Sequence, residues 1–310
     1  MTRPALPLCL AVLLALWNPD AYAQPAPAAP ARAPDRSATT DPVPATGAGS
    51  AFGPGSAVQS AAAPAPVRIV GGPGGGCIAG AMQLPASGPG YQTIRFSRSW
   101  FWGHPDTIAA LQALAARAAA AGLPTLYMND ISRMRGGPMA GIHASHMLGL
   151  DADVWLDLLP KASLSPAELD NVEVRSLVAA DGRGVDPAVW QAGHATLIRL
   201  AAGLPGLDRV LVNPAIKAQL CKITTGDRAW LHQVRPWYDH SAHMHLHFRC
   251  PPGQPECRDQ SPTPAGDGCD ASLDWWFAQL DQPPRPPGPP PRPPVLPAAC
   301  TGILAGQPPG

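Results

Sequence analysis

Alternating histidines near the end of the globular sequence are the first residues that could bind a metal ion or take part in catalysis. His243, His245 and His247 alternate with apolar residues in the stretch DHSAHMHLHF. Side chains two residues apart in a β-strand point to the same face, so neighbouring imidazoles would lie about 7 Å apart. One imidazole could then hold a metal ion while the next faces the reacting ligand. Histidines on a solvent-facing strand give the same pattern, so this stretch alone indicates little.

A second stretch, HASHMLGLDADVW, supplies another imidazole and a carboxylate. Gly149 stands between His146 and Asp153, and glycine allows a bend that would bring His146 back towards the following strand. Residues 150–156 alternate, which places Asp153 with Asp151 on the side away from the apolar residues. We therefore expect Asp153 to be accessible. The alternative is a turn that carries surface carboxylates.

Together, His146, Asp153 and His245 have the composition of a catalytic zinc site. Two imidazoles and one carboxylate leave a fourth coordination position for water. A softer metal would be expected to use thiolates instead. The helical zinc-protease motif HExxH is absent, so any peptidase here must use ligands on strands. The sequence also has no GxSxG elbow, P-loop or dinucleotide fingerprint.

The elements that must position these side chains are helices mixed with short strands. Apolar periodicity and boundary residues predict helices over 107–121, 187–202 and 227–233. Short strands are predicted over 123–128, 150–156, 209–212 and 243–248. No regular βαβ rhythm connects them, so the predicted class is α+β. We expect a small antiparallel sheet flanked by helices in one zinc-peptidase domain, residues 68–281.

Both ends of the chain have compositions typical of segments outside a folded domain. Arg3, an apolar stretch and the tripeptide ending at Ala23 predict a secretory signal over residues 1–23, cleaved after Ala23. The apolar stretch is too short for a membrane span of about 20 residues. Residues 24–67 are predicted to be a disordered Ala/Pro-rich tether, and 282–310 a proline-rich tail. We therefore expect a periplasmic protein.

The cysteines are expected to form disulfides. Loss of the signal would remove Cys9 and leave six cysteines, and an even number in an exported chain favours three disulfides over free thiols. The pattern alone leaves many pairings open, although Cys300 could return across the proline-rich stretch, for example to Cys77. The sequence contains no CxxC pair, so a zinc site made of thiolates is not indicated. A cysteine nucleophile is disfavoured if every cysteine is bridged.

Four stretches of the sequence carry a family resemblance: HASHMLGLDADVW, VNPAIKAQLC, VRPWYDHSAHMHLHFRCP and AGDGC. They closely resemble the penicillin-insensitive murein endopeptidases. That family is grouped with lysostaphin-type peptidases, D-Ala-D-Ala peptidases and the hedgehog signalling fold, and the resemblance covers most of residues 77–281. It implies a zinc hydrolase of the D-alanyl–diaminopimelate cross-link in peptidoglycan, with one catalytic ion. The implied zinc ligands are His146, Asp153 and His245, the implied catalytic imidazoles are His240 and His243, and His143 matches a further metal-site histidine.

The resemblance also implies a disulfide pattern and reveals two departures. The implied pairs are Cys77 with Cys300, Cys221 with Cys269, and Cys250 with Cys257. Where family members have Asp-Gly-x-His, Asp181 is kept as a candidate metal ligand but Gly184 replaces the histidine, which argues against a second zinc ion. His247 stands where arginine is expected, which we expect to alter the rim of the site.

The expected reaction is amide hydrolysis, in which one of His240 and His243 moves a proton to the leaving amine and the other stabilises developing charge. One alternative is a D,D- or L,D-carboxypeptidase that acts on stem peptides. Another is a catalytically silent wall-binding module, against which both histidines argue. The expected partners are cross-linked peptidoglycan peptides. The formal net charge of zero, without a basic run, argues against a nucleic-acid partner, and the sequence gives no oligomeric state.

Overall fold

Short strands and helices are mixed in the computed structural model, which describes residues 66–139, 142–161, 164–173, 175–282 and 293–306. In chain order the strands are β1 (Arg68–Gly72), β2 (Gly75–Ala79), β3 (Met82–Gln83), β4 (Ser87–Gly88), β5 (Tyr91–Thr93), β6 (Trp102–Gly103), β7 (Leu126–Met128), β8 (Asp151–Trp155), β9 (Leu207–Val212), β10 (Val234–Pro236) and β11 (His243–Phe248). The strand predicted over 243–248 is therefore confirmed, and the other predicted strands differ at their ends.

The helices are α1 (Pro105–Ala120), α2 (Pro166–Asp170), α3 (Ala192–Ala202), α4 (Pro214–Ile223), α5 (Ala271–Ala278) and α6 (Cys300–Leu304). The first two predicted helices correspond to α1 and α3, although α3 begins later than expected. Residues 227–233 form only a 3-10 turn over Ala229–His232. Helix α4 was not predicted. It begins with Pro214 at its first position, and the side chain of Asn213 accepts a hydrogen bond from the backbone N–H of Ala215 at 2.9 Å.

A seven-stranded sheet in the order β10-β9-β11-β8-β7-β5-β4 occupies the centre. Strand β11 lies antiparallel to both β8 and β9. The pairs β10–β9 and β5–β7 are parallel, because α4 and α1 lie in the respective connections and return the chain in the same direction. The α+β class is confirmed, while the sheet is larger and more mixed than the small antiparallel sheet that we expected.

Strand alternation separates the core from the chemical face of the sheet. Ala152 and Val154 of β8 are buried in one apolar cluster with Met244 and Leu246 of β11. Leucines and isoleucines of α1, α3 and α4 belong to the same cluster. Burying one such side chain contributes about 1.5–3 kcal/mol relative to leaving it exposed. The intervening residues of β8 and β11, the acidic and imidazole side chains, consequently share the opposite face.

The cysteines of the described residues form three disulfides: Cys77–Cys300, Cys221–Cys269 and Cys250–Cys257. These are the pairs that the family resemblance implies. The first attaches α6 to β2 across 223 residues of sequence, and both of its cysteines are buried. The described residues all fall in one compact unit. Among them, no helix has the length and apolar composition needed to cross a membrane.

The predicted segments at the two ends are covered only in part. The signal over residues 1–23 and nearly all of the tether over residues 24–67 lie outside the described residues. The same holds for residues 283–292 and 307–310 of the proline-rich tail. The domain boundaries that we drew from composition therefore stay predictions.

Candidate metal centre

Three buried side chains from separate parts of the sequence converge at one point. The Nε2 atom of His146 lies 3.0 Å from the Nδ1 atom of His245 and 3.5 Å from Oδ1 of Asp153. His245 Nδ1 and Asp153 Oδ1 are 3.2 Å apart. The side chains converge because His245 and Asp153 are directly paired residues of β11 and β8. These spacings suit three ligands that each lie about 2 Å from a shared zinc ion.

His146 reaches this point through a bend before β8. His146 has a φ of 67°, unusual for a residue with a side chain, and Gly149 has a φ of 69°. A Cβ atom on Gly149 would lie 2.8 Å from Gly103 Cα, so only glycine fits there. The backbone N–H of His146 donates to Asp151 Oδ2 at 3.1 Å, which secures the bend.

The hydrogen bonds of the two imidazoles fix which nitrogen faces the centre. His146 Nδ1 lies 2.8 Å from the carbonyl oxygen of Ile131, which can only accept, so this nitrogen carries the proton. His245 Nε2 likewise donates to Asp151 Oδ1 at 3.0 Å. In the neutral rings, the lone pairs of both imidazoles therefore face each other and the Asp153 carboxylate. Such a set of lone pairs requires a cation between them, which fits a metal site.

The electrostatics show how strongly the centre attracts positive charge. Burial lowers the pKa of His245, but hydrogen bonds and charges from Asp151 and Asp153 outweigh it and raise the pKa to about 10. Burial raises the pKa of Asp153, but the neighbouring imidazoles, His146 first, bring it well below its usual value. Without a metal, protons on the imidazoles compensate the carboxylates. With a metal, those protons would be displaced.

Burial of the carboxylates corrects one sequence expectation. We expected Asp153 to be accessible, but its residue is only 3% exposed and Asp151 is 0% exposed. The reason is that imidazoles from outside β8 cover the Asp153 carboxylate: His143 Nδ1 lies 4.0 Å, His243 Nε2 3.8 Å and His245 Nδ1 3.2 Å from its oxygens. Which face of a strand is covered depends on these distant residues, and local alternation does not contain that information.

Asp151 contacts the candidate centre and was not assigned a role from the sequence. Its Oδ1 atom accepts hydrogen bonds from His245 Nε2 at 3.0 Å and from His247 Nδ1 at 2.8 Å. A carboxylate that receives the second N–H of a metal-bound imidazole fixes its tautomer and orientation. Its place two residues before Asp153 was the available signal. His247 is 2% exposed and bonded to Asp151, so it does not lie at the rim as we expected.

His143 and Asp130 flank the centre on the side of the bend. The ring of His143 lies 4.2 Å from the ring of His146, and its Nδ1 atom is 4.0 Å from Asp153 Oδ2. Its Nε2 atom lies 2.8 Å from Oδ2 of the buried Asp130. His143, His146 and Asp153 form one group able to hold a metal, and Asp151, His245 and His247 form another.

The two groups share one centre, because His146 and His245 bridge them. His146, Asp153 and His245 could hold an ion together, because their facing donor atoms lie 3.0–3.5 Å apart, whereas Asp151 Oδ1 accepts hydrogen bonds from two imidazoles. Asp181 is exposed and accepts a hydrogen bond from the backbone N–H of Arg183 at 2.9 Å. It belongs to neither group found within the described residues, so its role as a ligand stays a prediction.

His240 and His243 lie together beside the centre. Their ring centroids are 4.9 Å apart, and His243 Nε2 lies 3.8 Å from Asp153 Oδ1. His240 Nδ1 donates to the carbonyl oxygen of Tyr238 at 2.6 Å, which leaves Nε2 as an acceptor. Burial, with the charges of His243 and His245, lowers the pKa of His240 to about 3. Burial also lowers the pKa of His243, so both rings favour the neutral form.

Comparison with known proteins gives the family. Residues 69–305 match the sequence profile of the family described as penicillin-insensitive murein endopeptidase. A protein of that name from Haemophilus influenzae is 45% identical over 224 residues, which are 72% of this chain and 76% of the relative. One from Klebsiella pneumoniae is 43% identical over 232 residues, covering 74% and 83% of the two chains. One from Yersinia enterocolitica is 42% identical over 237 residues, covering 76% and 85%. The chain therefore belongs to the penicillin-insensitive murein endopeptidase family of peptidases.

Proposed function

We propose that this protein is a zinc-dependent murein endopeptidase that hydrolyses the D-alanyl–diaminopimelate amide cross-linking two stem peptides. The names of the relatives support murein as the substrate. The observation that carries the metal dependence is the convergence of His146, Asp153 and His245, with donor atoms 3.0–3.5 Å apart. Imidazole and carboxylate ligands without thiolates suit zinc.

His146, Asp153 and His245 would hold the ion, with Asp151 and the Ile131 carbonyl fixing the rings. When bound, zinc supplies Lewis-acid activation of the attacking water and the scissile carbonyl. The ligands are nearly inaccessible, whereas His243 is partly exposed. Substrate would therefore approach from the side of His243 and His240.

His240 and His243 would manage the protons of the reaction. Amide hydrolysis requires that a proton leave the water and that another reach the amine, since an amide anion is a poor leaving group. Two neutral imidazoles beside the ligands can divide these tasks. One transfers the proton to the amine, and the other donates a hydrogen bond to the oxygen that gains negative charge. The bond to Tyr238 keeps the His240 ring in place while this happens.

We further propose that the protein acts in the periplasm after removal of residues 1–23. Two observations support a location outside the cytoplasm. The protein has three disulfides, and the names of its relatives give murein as their substrate. The test of this part is the mass of the mature protein recovered from the periplasm. Cleavage after Ala23 predicts a mature N-terminus at Gln24.

Incubating the purified protein with defined cross-linked muropeptides tests the reaction. Mass spectrometry should detect conversion of dimers into two intact monomers, and elemental analysis should find zinc in the active protein. A strong chelator should abolish cleavage, and added zinc should restore it. Loss of a terminal D-alanine without separation of the two stems would instead make the protein a carboxypeptidase, and the proposed bond would be wrong.

A further inference from the structure

Two arginines lie beside the metal centre, each over a tryptophan that contacts one of its histidines. The Arg95 guanidinium carbon lies 5.0 Å from the centre of the Trp155 ring, which is 5.6 Å from the His243 ring. The Arg98 guanidinium carbon lies 5.4 Å from the centre of the Trp100 ring, and Trp100 meets His143 edge-on at 6.2 Å. One aromatic ring therefore separates each guanidinium from the site.

The positive charge of this pair is only partly compensated. Arg98 donates to Asp130 Oδ2 at 3.2 Å, and the same oxygen is bonded to His143. Arg95 has no ion pair with any carboxylate of the described residues, although it is half-buried. Burial and the charge of Arg98 both lower the pKa of Arg95. A half-buried guanidinium that lies next to a second positive charge is stabilised when an anion binds to it.

The backbone fixes the position of Arg95. It has a φ of 56°, in the left-handed region, and its N–H donates to the carbonyl oxygen of Leu169 at 3.0 Å. The preceding residue, Ile94, is fully buried, and its N–H donates to Met128 in β7. A residue with a side chain persists in this conformation when its surroundings hold it there. The guanidinium is thus presented from an anchored turn.

We propose that Arg95, assisted by Arg98, binds a carboxylate of the peptide substrate and thereby positions the scissile amide at His243. The inference rests on the proposed function. A diaminopimelate cross-link carries a free carboxylate on the carbon bonded to the scissile nitrogen, and a stem peptide carries another at its C-terminus. Guanidinium binds either through the same paired hydrogen bonds. Arg95 would contact the substrate and take no part in the chemical step, since Trp155 lies between it and His243.

Three muropeptide dimers test this proposal: one unmodified, one amidated at the carboxylate beside the scissile nitrogen, and one amidated at the C-terminal carboxylate. Each dimer is added to the metal-loaded full chain to measure kcat/KM. Each dimer is also added to the chelated full chain to measure affinity by calorimetry. We expect the wild type to bind and cleave one amidated dimer about ten- to a hundredfold less well than the unmodified dimer, the loss typical of a charge-assisted contact.

Arg95→Gln should weaken binding and cleavage of the unmodified dimer by the same factor, and it should no longer discriminate between the unmodified and the amidated dimer. Arg95→Lys should keep part of this discrimination. Arg117→Gln, at an exposed position of α1, is the matched control and should behave as wild type. The amidated dimer that loses affinity identifies which carboxylate is bound. Equal affinity of the wild type for all three dimers, or equal losses in Arg95→Gln without loss of discrimination, would overturn the proposal. Normal binding without cleavage by the metal-loaded wild type would instead refute the proposed function.

Discussion

Replacing Asp151 by Asn tests whether a carboxylate behind the ligands controls the metal centre. Asp151 is 0% exposed, and its two oxygens accept three hydrogen bonds from His245, His247 and the backbone N–H of His146. Burial raises the pKa of Asp151, but His247 and His245 lower it well below its usual value, so the native group is a carboxylate. Asparagine has nearly the same shape, no charge and only one accepting oxygen.

Either orientation of the asparagine leaves at least one mismatch inside the site. If its oxygen faces the imidazoles, its NH₂ group meets the His146 N–H, and if it is reversed, its NH₂ group meets two imidazole donors. Mutating a carboxylate that bonds the second nitrogen of a metal-binding imidazole changes metal affinity about 10- to 100-fold. This corresponds to about 1.4–2.8 kcal/mol of binding free energy. We expect Asp151→Asn to weaken zinc binding by that factor and to reduce cleavage at limiting zinc.

The assay is a competition titration against a chromophoric chelator, with zinc stoichiometry measured on the same samples. Asp106→Asn is the matched control, because its side chain is 77% exposed and pairs with His104, which is not one of the proposed ligands. Thermal unfolding of the metal-free proteins separates a loss of fold from a loss of affinity. If folded Asp151→Asn bound zinc as tightly as the wild type, Asp151 would not orient His245 and our account of the tautomers would be refuted.

Further predictions concern the site and the stability of the fold. His245→Ala should lose zinc and cleavage together, whereas His243→Ala should keep zinc by elemental analysis and lose turnover; cleavage by His243→Ala at the wild-type rate would contradict the assigned roles. Burial and the charge of Arg235 lower the pKa of Lys217 to about 7. Between pH 7 and the ordinary pKa of lysine, the unfolded state therefore binds more protons than the folded state. Stability measured by denaturant titration should therefore rise with pH above pH 7 by about 1 kcal/mol per unit, and Lys217→Met should lack this rise. Cys300→Ser should lower the free energy of unfolding by about 2–5 kcal/mol, and an unchanged denaturation midpoint would contradict a stabilising role for that disulfide.

The sequence predicted best what depends on neighbouring residues. The strand over His243–Phe248 has the predicted bounds, because its alternation is complete and local. The bend at Gly149 likewise has a local cause, since this glycine has a positive φ and no space for a Cβ atom. The proposed ligands His146, Asp153 and His245 converge as expected, since pairing of β8 with β11 brings two of them into register.

The features that the sequence did not predict depend on contacts between distant segments. Burial of Asp153 involves His143, which lies before the bend, and His243 of β11, and neither could be assigned to that face from alternation within β8. Parallel pairing of β9 with β10 depends on α4, whose Asn213-Pro214 start was not recognised as a helix signal. The stack of Arg95 on Trp155 joins residues 60 positions apart. No local pattern encodes it.

The most direct test of the central claim is anomalous X-ray diffraction at the zinc absorption edge from crystals of the zinc-loaded protein. We expect one strong peak about 2 Å from His146 Nε2, His245 Nδ1 and an Asp153 carboxylate oxygen. We also expect Asp151 to remain hydrogen-bonded to His245 Nε2 and outside the coordination sphere. A zinc peak coordinated by Asp151 and His247, or no peak among the three proposed ligands, would contradict the proposed site.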